Sequence, residues 1–293
     1  MSVTRATPLH RAPSTRAARP RSLMLGVTLA VILAACGGNT GRNAPLDDYS
    51  AEEIFRRGEF VLETSRRAES SLHFFREVER LYPATDWARR AIVMQAYALH
   101  RDREYEQARA VAQRFLDAYP ADEDAAWAAY IIALTYYDQI ERVGRDQTVT
   151  FNALRSLRRV IEEYPNTEYA RSAVLKFDLA FDHLAAKEME IGRYYLRRGN
   201  MSSAVNRFRV VVEDYQTSSH TPEALHRLVE AYLALGLRNE AQTAGAILGH
   251  NFRASPFYED SFSLLTGQGL SAEASGESWI RQIYRRTLRG EWL

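Results

Sequence analysis

Ser71-Leu72-His73-Phe74-Phe75-Arg76-Glu77-Val78-Glu79-Arg80-Leu81-Tyr82-Pro83 decides the architecture, because its spacing returns along the chain. Counting back 12, 8, 5 and 1 from Pro83 gives Ser71, Phe75, Val78 and Tyr82, and from Pro120 gives Ala108, Ala112, Phe115 and Tyr119. Pro165 gives Ala153, Leu157, Val160 and Tyr164. Gln216, standing where the proline is lost, gives Ala204, Phe208, Val211 and Tyr215. A weaker fifth copy reads Ala241, Gly245, Leu248 and Phe252. Gaps of 4, 3 and 4 put all the residues of one copy on one helix face, small where a neighbouring helix comes close and large where space must be filled. The proline then stops the helix, since it has no amide proton and disfavours helix in the residue before it.

A helix–turn–helix unit of about 34 residues with this alternation of small and large residues and a terminal proline is the tetratricopeptide pattern, which the sequence resembles in about five copies. The expected fold is therefore all-α: a tetratricopeptide-like superhelix, or α-solenoid, in which each repeat buries surface against its neighbours. The proline positions 83, 120, 165, 216 and 253 are separated by 37, 45, 51 and 37 residues. The two middle steps exceed the repeat period by roughly 11 and 17 residues, and the missing proline at Gln216 is read as part of the same departure. Helix pairs are expected at 50–66 with 68–81, 86–101 with 103–118, 122–140 with 148–163, 167–198 with 201–214, and 221–236 with 238–251. Ser50 to Glu53 reads as a capping box, Asp86, Asp122, Thr167 and Thr221 as N-caps, and Pro222 as a first helical residue. Gly199-Asn200 and Leu235-Gly236-Leu237 read as turns inside repeats four and five.

The two ends read differently. Residues 1–35 hold five arginines and no acid, then a 13-residue apolar run from Leu23 to Ala35. That run is short of the roughly 20 residues needed to span a bilayer and fits the core of a signal peptide. It ends Leu33-Ala34-Ala35-Cys36-Gly37, which resembles a bacterial lipobox. The expected organisation is a signal peptide over 1–35, a lipidated Cys36 and tether over 36–48, a five-repeat array over 49–253, and an extension of uncertain structure over 254–293. Glu277 to Leu293 is read as one last amphipathic helix, carrying Trp279, Ile283, Tyr284 and Leu288.

Composition narrows the function. The chain has 38 basic and 37 acidic residues; removing the five leader arginines leaves 33 against 37, a net charge of −4. Such a domain has no electrostatic footprint for nucleic acid. Cys36 is the single cysteine, so no internal disulfide can form and no zinc set is legible. The seven histidines are scattered, the serines lack a nucleophile-elbow context and no glycine-rich phosphate loop occurs. A binding protein is expected, not an enzyme, with no metal and no cofactor beyond a covalent lipid on Cys36.

The irregular repeats carry the specific signal. Repeat three contains Tyr136-Tyr137-Asp138-Gln139-Ile140 followed by Arg145-Asp146-Gln147. Repeat four opens with a helix of about 30 residues bearing Leu184-Ala185-Ala186-Lys187-Glu188-Met189-Glu190-Ile191-Gly192-Arg193-Tyr194-Tyr195. A helix that long projects beyond its neighbours or pairs with an insertion, and the repeat-three insertion is the candidate. With the lipobox and the repeats, these segments resemble the BamD family, lipoproteins of the outer-membrane β-barrel assembly machinery, from about Cys36 to Phe252.

The resemblance implies an outer-membrane, lipid-anchored protein on the periplasmic side. Its implied partners are the periplasmic (POTRA) domains of BamA and unfolded outer-membrane β-barrel proteins, with other Bam lipoproteins as further candidates. It assigns BamA to the C-terminal half of the repeats and the substrate's aromatic-ended segment to the N-terminal half. Arg193 and Arg207 are the candidate partner contacts, since an arginine fork suits a carboxylate; an intramolecular ion pair is the competing reading. Tyr194 joins them, with core packing as its alternative. Asp138, Arg145 and Asp146 read as residues that fix the loop. Two other classes remain open: a periplasmic repeat scaffold for cell-envelope or peptidoglycan complexes, and the repeat domain of a wall enzyme.

Overall fold

The computed structural model describes residues 46–271. The chain divides into two units, Met1–Asp48 and Tyr49–Leu293, and the repeat array belongs to the second. The signal peptide, Cys36 and the proposed helix over 277–293 lie outside the described residues.

Eleven helices and no strand occur among the described residues. They are α1 Ala51–Thr64 and α2 Glu69–Leu81, α3 Asp86–Arg101 and α4 Tyr105–Ala118, α5 Ala125–Tyr137 and α6 Thr148–Glu163, α7 Glu168–Arg197 and α8 Met201–Asp214, α9 Thr221–Ala234 and α10 Arg238–Asn251, then α11 Pro256–Gly267. Each helix packs on the one before and the one after it, and the first helices of successive repeats also touch, α1 on α3, α3 on α5 and α5 on α7. This is the expected tetratricopeptide-like array.

The first three packing positions of each copy are buried, while the aromatic at the fourth, Tyr82, Tyr119, Tyr164, Tyr215 or Phe252, is half-buried. Phe75, Ala108, Ala112, Phe115, Ala153, Leu157, Val160, Ala204, Phe208, Val211, Ala241 and Leu248 have no exposed surface. Where the second packing position of the copy is a phenylalanine, at Phe75 and Phe208, the first helix carries a glycine opposite it. A Cβ on Gly58 would stand 2.8 Å from the Phe75 ring, and one on Gly192 would run into the ring of Phe208. The aromatic fills the notch left by the missing side chain, so the two helices lie closer than any larger pair would permit.

Each repeat ends in the same hydrogen-bonded turn. Tyr82, Tyr119, Tyr164, Tyr215 and Phe252 are the C-cap residues of α2, α4, α6, α8 and α10, with φ of −129°, −135°, −129°, −126° and −134°. Their carbonyls accept from the amides three residues on, at Thr85, Asp122, Thr167, Ser218 and Ser255, over 2.9–3.2 Å. The side chains of those five residues then accept amides at the start of the following helix: Ala88, Asp124, Ala170, His220 and Phe257. The turn at Tyr215-Gln216 matches the others, so the lost proline does not belong to the irregularity. The proline prevents further helix, while the Ser, Thr or Asp three residues after the aromatic builds the turn.

That arrangement corrects three expected caps. Thr85 is the N-cap of α3 in place of Asp86, which pairs with Arg89. Asp122 organises the turn, and α5 starts only at Ala125. Thr221 is the first residue of α9, donating to the Tyr215 carbonyl at 3.0 Å, which makes Pro222 the second. Ser50 and Glu53 do form the capping box of α1, and Thr167 caps α7.

The two long steps have one explanation. The segment after α5, residues 138–147, lies against the extra turns of α7: Lys187 donates to the Arg145 carbonyl at 3.0 Å, and His183 Nδ1 is 3.1 Å from Gln147 Oε1. Beneath them Leu154, Ala180 and Leu184 form a small apolar cluster with Tyr137, Ile140, Phe177 and Phe181 around it. The insertion of repeat three covers the overhang of repeat four.

Replacing Ala108, fully buried at a helix seam, by Trp is expected to destabilise the array by about 1–3 kcal/mol or more through overpacking. A urea or thermal melt checks this, and parental stability in Ala108→Trp would contradict the repeat register.

Candidate partner-docking site

The sequence places its partner-contact candidates on the last turns of α7 and the middle of α8, and the close Gly192–Phe208 approach fixes these helices against each other. Arg193 follows Gly192 and points across to α9. There Nε meets Glu223 Oε1 at 2.8 Å and Nη2 meets Oε2 at 2.5 Å, a two-pronged pair. The Arg193 guanidinium holds the Glu223 carboxyl below its ordinary value of 4.5, with Arg227 adding to the effect against the opposing influence of burial. The pair continues along α9: Arg227 lies 3.5 Å from Glu223 and 2.7 Å from Glu230. His226 Nε2 stands 3.6 Å from Glu230, and its Nδ1 is 2.8 Å from Ser261 Oγ on α11. Since His226 and Ser261 are buried, this row of charges binds α7, α9 and α11 together. In the isolated chain the Arg193 fork is therefore engaged internally.

Arg207 is placed differently. It meets Glu188 of α7 through Nη1 at 3.0 Å, and its side chain stays 43% exposed. A guanidinium has five N–H donors, so a partner's carboxylate can be met without breaking that contact. Tyr194 is 45% exposed, which removes it from the core. Its ring stands edge-on to Tyr195, 5.6 Å between centroids, with the Arg198 guanidinium 4.7 Å away over its face. Tyr195 packs against the apolar core of repeats four and five. Core packing, the alternative reading of Tyr194, falls instead to its neighbour Tyr195.

The loop residues serve the scaffold. Asp138, the C-cap of α5, is 2.7 Å from His100 Nε2 on α3. Arg145 contributes its carbonyl to Lys187 and Gln147, while its side chain is exposed. Asp146 accepts the Thr148 amide at 3.0 Å at the head of α6, and hydrogen bonds from Thr148 lower its pKa. The structure thus brings Arg145 to α7, Asp146 to α6 and Asp138 to α3.

Two further features were not singled out from sequence. Leu175 and Leu179, one turn apart on α7, are 68% and 60% exposed. Leu179 also borders a cavity of about 260 Å³ with Tyr137, Ile140 and His183. The available signal was a long helix with more apolar positions than one buried face requires. In the N-terminal half, a cavity of about 440 Å³ lies between repeats one and two, lined by Arg67, Arg76, Leu72, Leu99 and Gln107 with three acidic side chains. One of those acids, Asp102, is occupied by the Ala68 and Glu69 amides at the start of α2.

No helix among the described residues is long and apolar enough to cross a membrane. The 30-residue α7 is no exception, as its charges show.

Residues 47–247 match a family described as outer membrane lipoprotein, YfiO. The chain is 43% identical over 253 residues to the outer membrane protein assembly factor BamD of Caulobacter vibrioides, covering 86% of this chain and 83% of that protein. It is 37% identical over 242 residues to the protein of the same name from Rickettsia prowazekii, covering 82% and 94%. With that of Neisseria meningitidis serogroup A the identity is 26% over 250 residues, covering 81% and 93%.

The Arg193–Glu223 pair sets a pH dependence. A carboxylate whose folded pKa is depressed stabilises the fold above its unfolded value and loses that contribution as the pH falls through the folded value. Glu223→Gln is expected to be less stable than the parent by roughly 1–3 kcal/mol at pH 7. The difference should close as the pH drops below about 4.5; urea melts at pH 7 and pH 3 read it.

Proposed function

The chain belongs to the YfiO family of outer membrane lipoproteins, and from that premise we propose that it acts in outer-membrane protein assembly as a non-enzymatic scaffold, held by a lipid on Cys36 at the periplasmic side of the outer membrane. In this reading it binds the periplasmic domains of BamA and receives unfolded β-barrel proteins before insertion. The observation that carries it is the coincidence of the match with the array: residues 47–247 hold all but the last helices and include the insertion and the long α7.

Two separated surfaces suit two partners. The C-terminal surface offers Arg207 with donors to spare and the exposed Tyr194 ring, a combination that complements an acidic and aromatic patch on a folded domain. The N-terminal cavity between repeats one and two offers Arg67 and Arg76 beside Leu72 and Leu99. Cations next to apolar wall suit an extended peptide that ends in an aromatic side chain and a carboxylate. A lipid on Cys36 would keep both surfaces near the membrane, and more than one acyl chain makes such an anchor firm.

The test has two parts. The lipid-free chain is titrated with BamA's periplasmic domains, and cells depleted of the protein are assayed for outer-membrane barrel proteins. Binding together with falling barrel levels supports the proposal. Normal barrel levels, with recovery of wall-synthesis enzymes on the protein, would sink it. Arg207→Glu is expected to weaken binding at least tenfold, the scale on which charged contacts act at interfaces, with the helical circular dichroism unchanged. Equal affinity would confine Arg207 to its contact with Glu188.

A further inference from the structure

A cavity of about 300 Å³ lies between α8, α9 and α10, at the seam of repeats four and five. The buried side chains of Val212, Leu225 and Ile247 form its floor, and half-buried Phe252 borders it. No charged side chain lines it. The corresponding seam between repeats one and two is built differently. Val212 stands four residues before Gln216 and Ile247 six before Arg253; the same counts from Pro83 and Pro120 give Glu79 and Arg114. Those two form an ion pair from α2 to α4, and Gln95 of α3 donates to Glu79 at 2.7 Å. With valine and isoleucine in their places no such bridge forms, and the space between the second helices of repeats four and five stays open.

The polar groups around that floor are carboxamides. Gln216 donates through Nε2 to the Glu213 carbonyl, and Asn251 through Nδ2 to the Ile247 carbonyl at 3.1 Å. Each side chain thus folds back on the helix before it through one N–H, while its oxygen accepts no hydrogen bond from the described residues. Gln216 stands where the first three repeats have a proline. Since the turn forms equally well without that proline, the position carries a side chain that the turn does not use.

The chemistry of the lining selects its occupant. A carboxamide presents what a peptide bond presents, an N–H donor and a carbonyl acceptor. Its complement is a backbone whose own N–H and C=O groups are unpaired, which is an extended chain and not a helix. An apolar floor without a charged neighbour excludes an ionised side chain, because an unpaired charge is costly to bury. The volume lies at the lower limit of ligand pockets, the scale of one side-chain anchor. We propose that the cavity docks an extended segment of a partner polypeptide, seating one uncharged apolar side chain on Val212, Leu225 and Ile247 while the backbone beside it bonds to Gln216 and Asn251. The contrast with the N-terminal cavity is one of charge. There two arginines and three acids line the wall, which suits the charged end of a chain; the uncharged seam of repeats four and five suits the interior of one. The array thus carries a second peptide site of different specificity in its other half.

Nuclear magnetic resonance on the isotope-labelled, lipid-free chain of residues 37–293 tests this with capped pentapeptides, N-acetyl-Ser-Asn-X-Asn-Ser-amide, in which X is tyrosine, leucine, aspartate or lysine. With tyrosine or leucine at X, the amide signals of Val212, Gln216, Ile247 and Asn251 are expected to shift and to saturate. With aspartate or lysine, binding should be at least about tenfold weaker. Gln216→Pro restores the residue of the other turns, so it should keep the parent's thermal melt while losing about threefold or more in affinity for the tyrosine peptide. Asn251→Asp, which sets a charge beside the apolar floor, should lose more with the helical circular dichroism retained. Absence of shifts at these four residues, equal binding of the aspartate peptide, or parental affinity in both variants overturns the site.

Discussion

Everything in this array depends on the two helices of a repeat packing closely, most tightly in repeats one and four. At Gly58 and Phe75, and again at Gly192 and Phe208, the first helix gives up its side chain and the second fills the notch with a ring that has no exposed surface. Repeat two reaches the same end with alanine on both sides, Ala96 and Ala112, both fully buried. Such an interlock fixes the depth and rotation of one helix against the other, since moving either opens a void or forces a clash, and both are destabilising. The turns at Tyr82, Tyr119, Tyr164, Tyr215 and Phe252 then pass the chain to the next repeat in one conformation, so that the array is built from a single joint repeated.

Where the protein departs from that joint it gains surface. The long α7 would expose an apolar overhang, but the insertion after α5 folds back on it through Lys187, His183 and Ile140. The large apolar side chains that remain uncovered on α7 are Val174, Leu175 and Leu179 and, near its end, the ring of Tyr194. Arg193 is tied to Glu223, and through Arg227, Glu230 and His226 the tie runs as far as Ser261 on α11. The row is partly buried and multiply hydrogen-bonded, a setting in which charges hold elements in register. Partner recognition at this end therefore falls to groups that the row leaves accessible, Arg207 and Tyr194 among them.

The helix pairs were legible because burial in a repeat array is periodic and local. Residues three and four apart must share a face, and a small residue in that stripe can mean only a near neighbour. The caps were legible in kind but displaced in position: Asp86 stands next to Thr85, and both can cap, but only Thr85 also reaches the Tyr82 carbonyl. The helix after Ser255 was missed, because its apolar residues do not follow the spacing of the other copies. Among the site candidates, charge and exposure were the obstacle. An arginine on a helix reads the same whether it faces a partner or a glutamate 30 residues further on, as Arg193 does.

By itself the sequence determined the repeat, its length, its two irregular steps and the family resemblance, all of which rest on short-range spacing along the chain. Only the tertiary structure decided which arginine is committed to the fold and which is accessible, that Tyr194 faces solvent while Tyr195 packs in the core, and that one insertion covers the other. Those outcomes depend on which helices meet in space, and pairings between residues 30 or 40 positions apart leave no periodic mark in either partner.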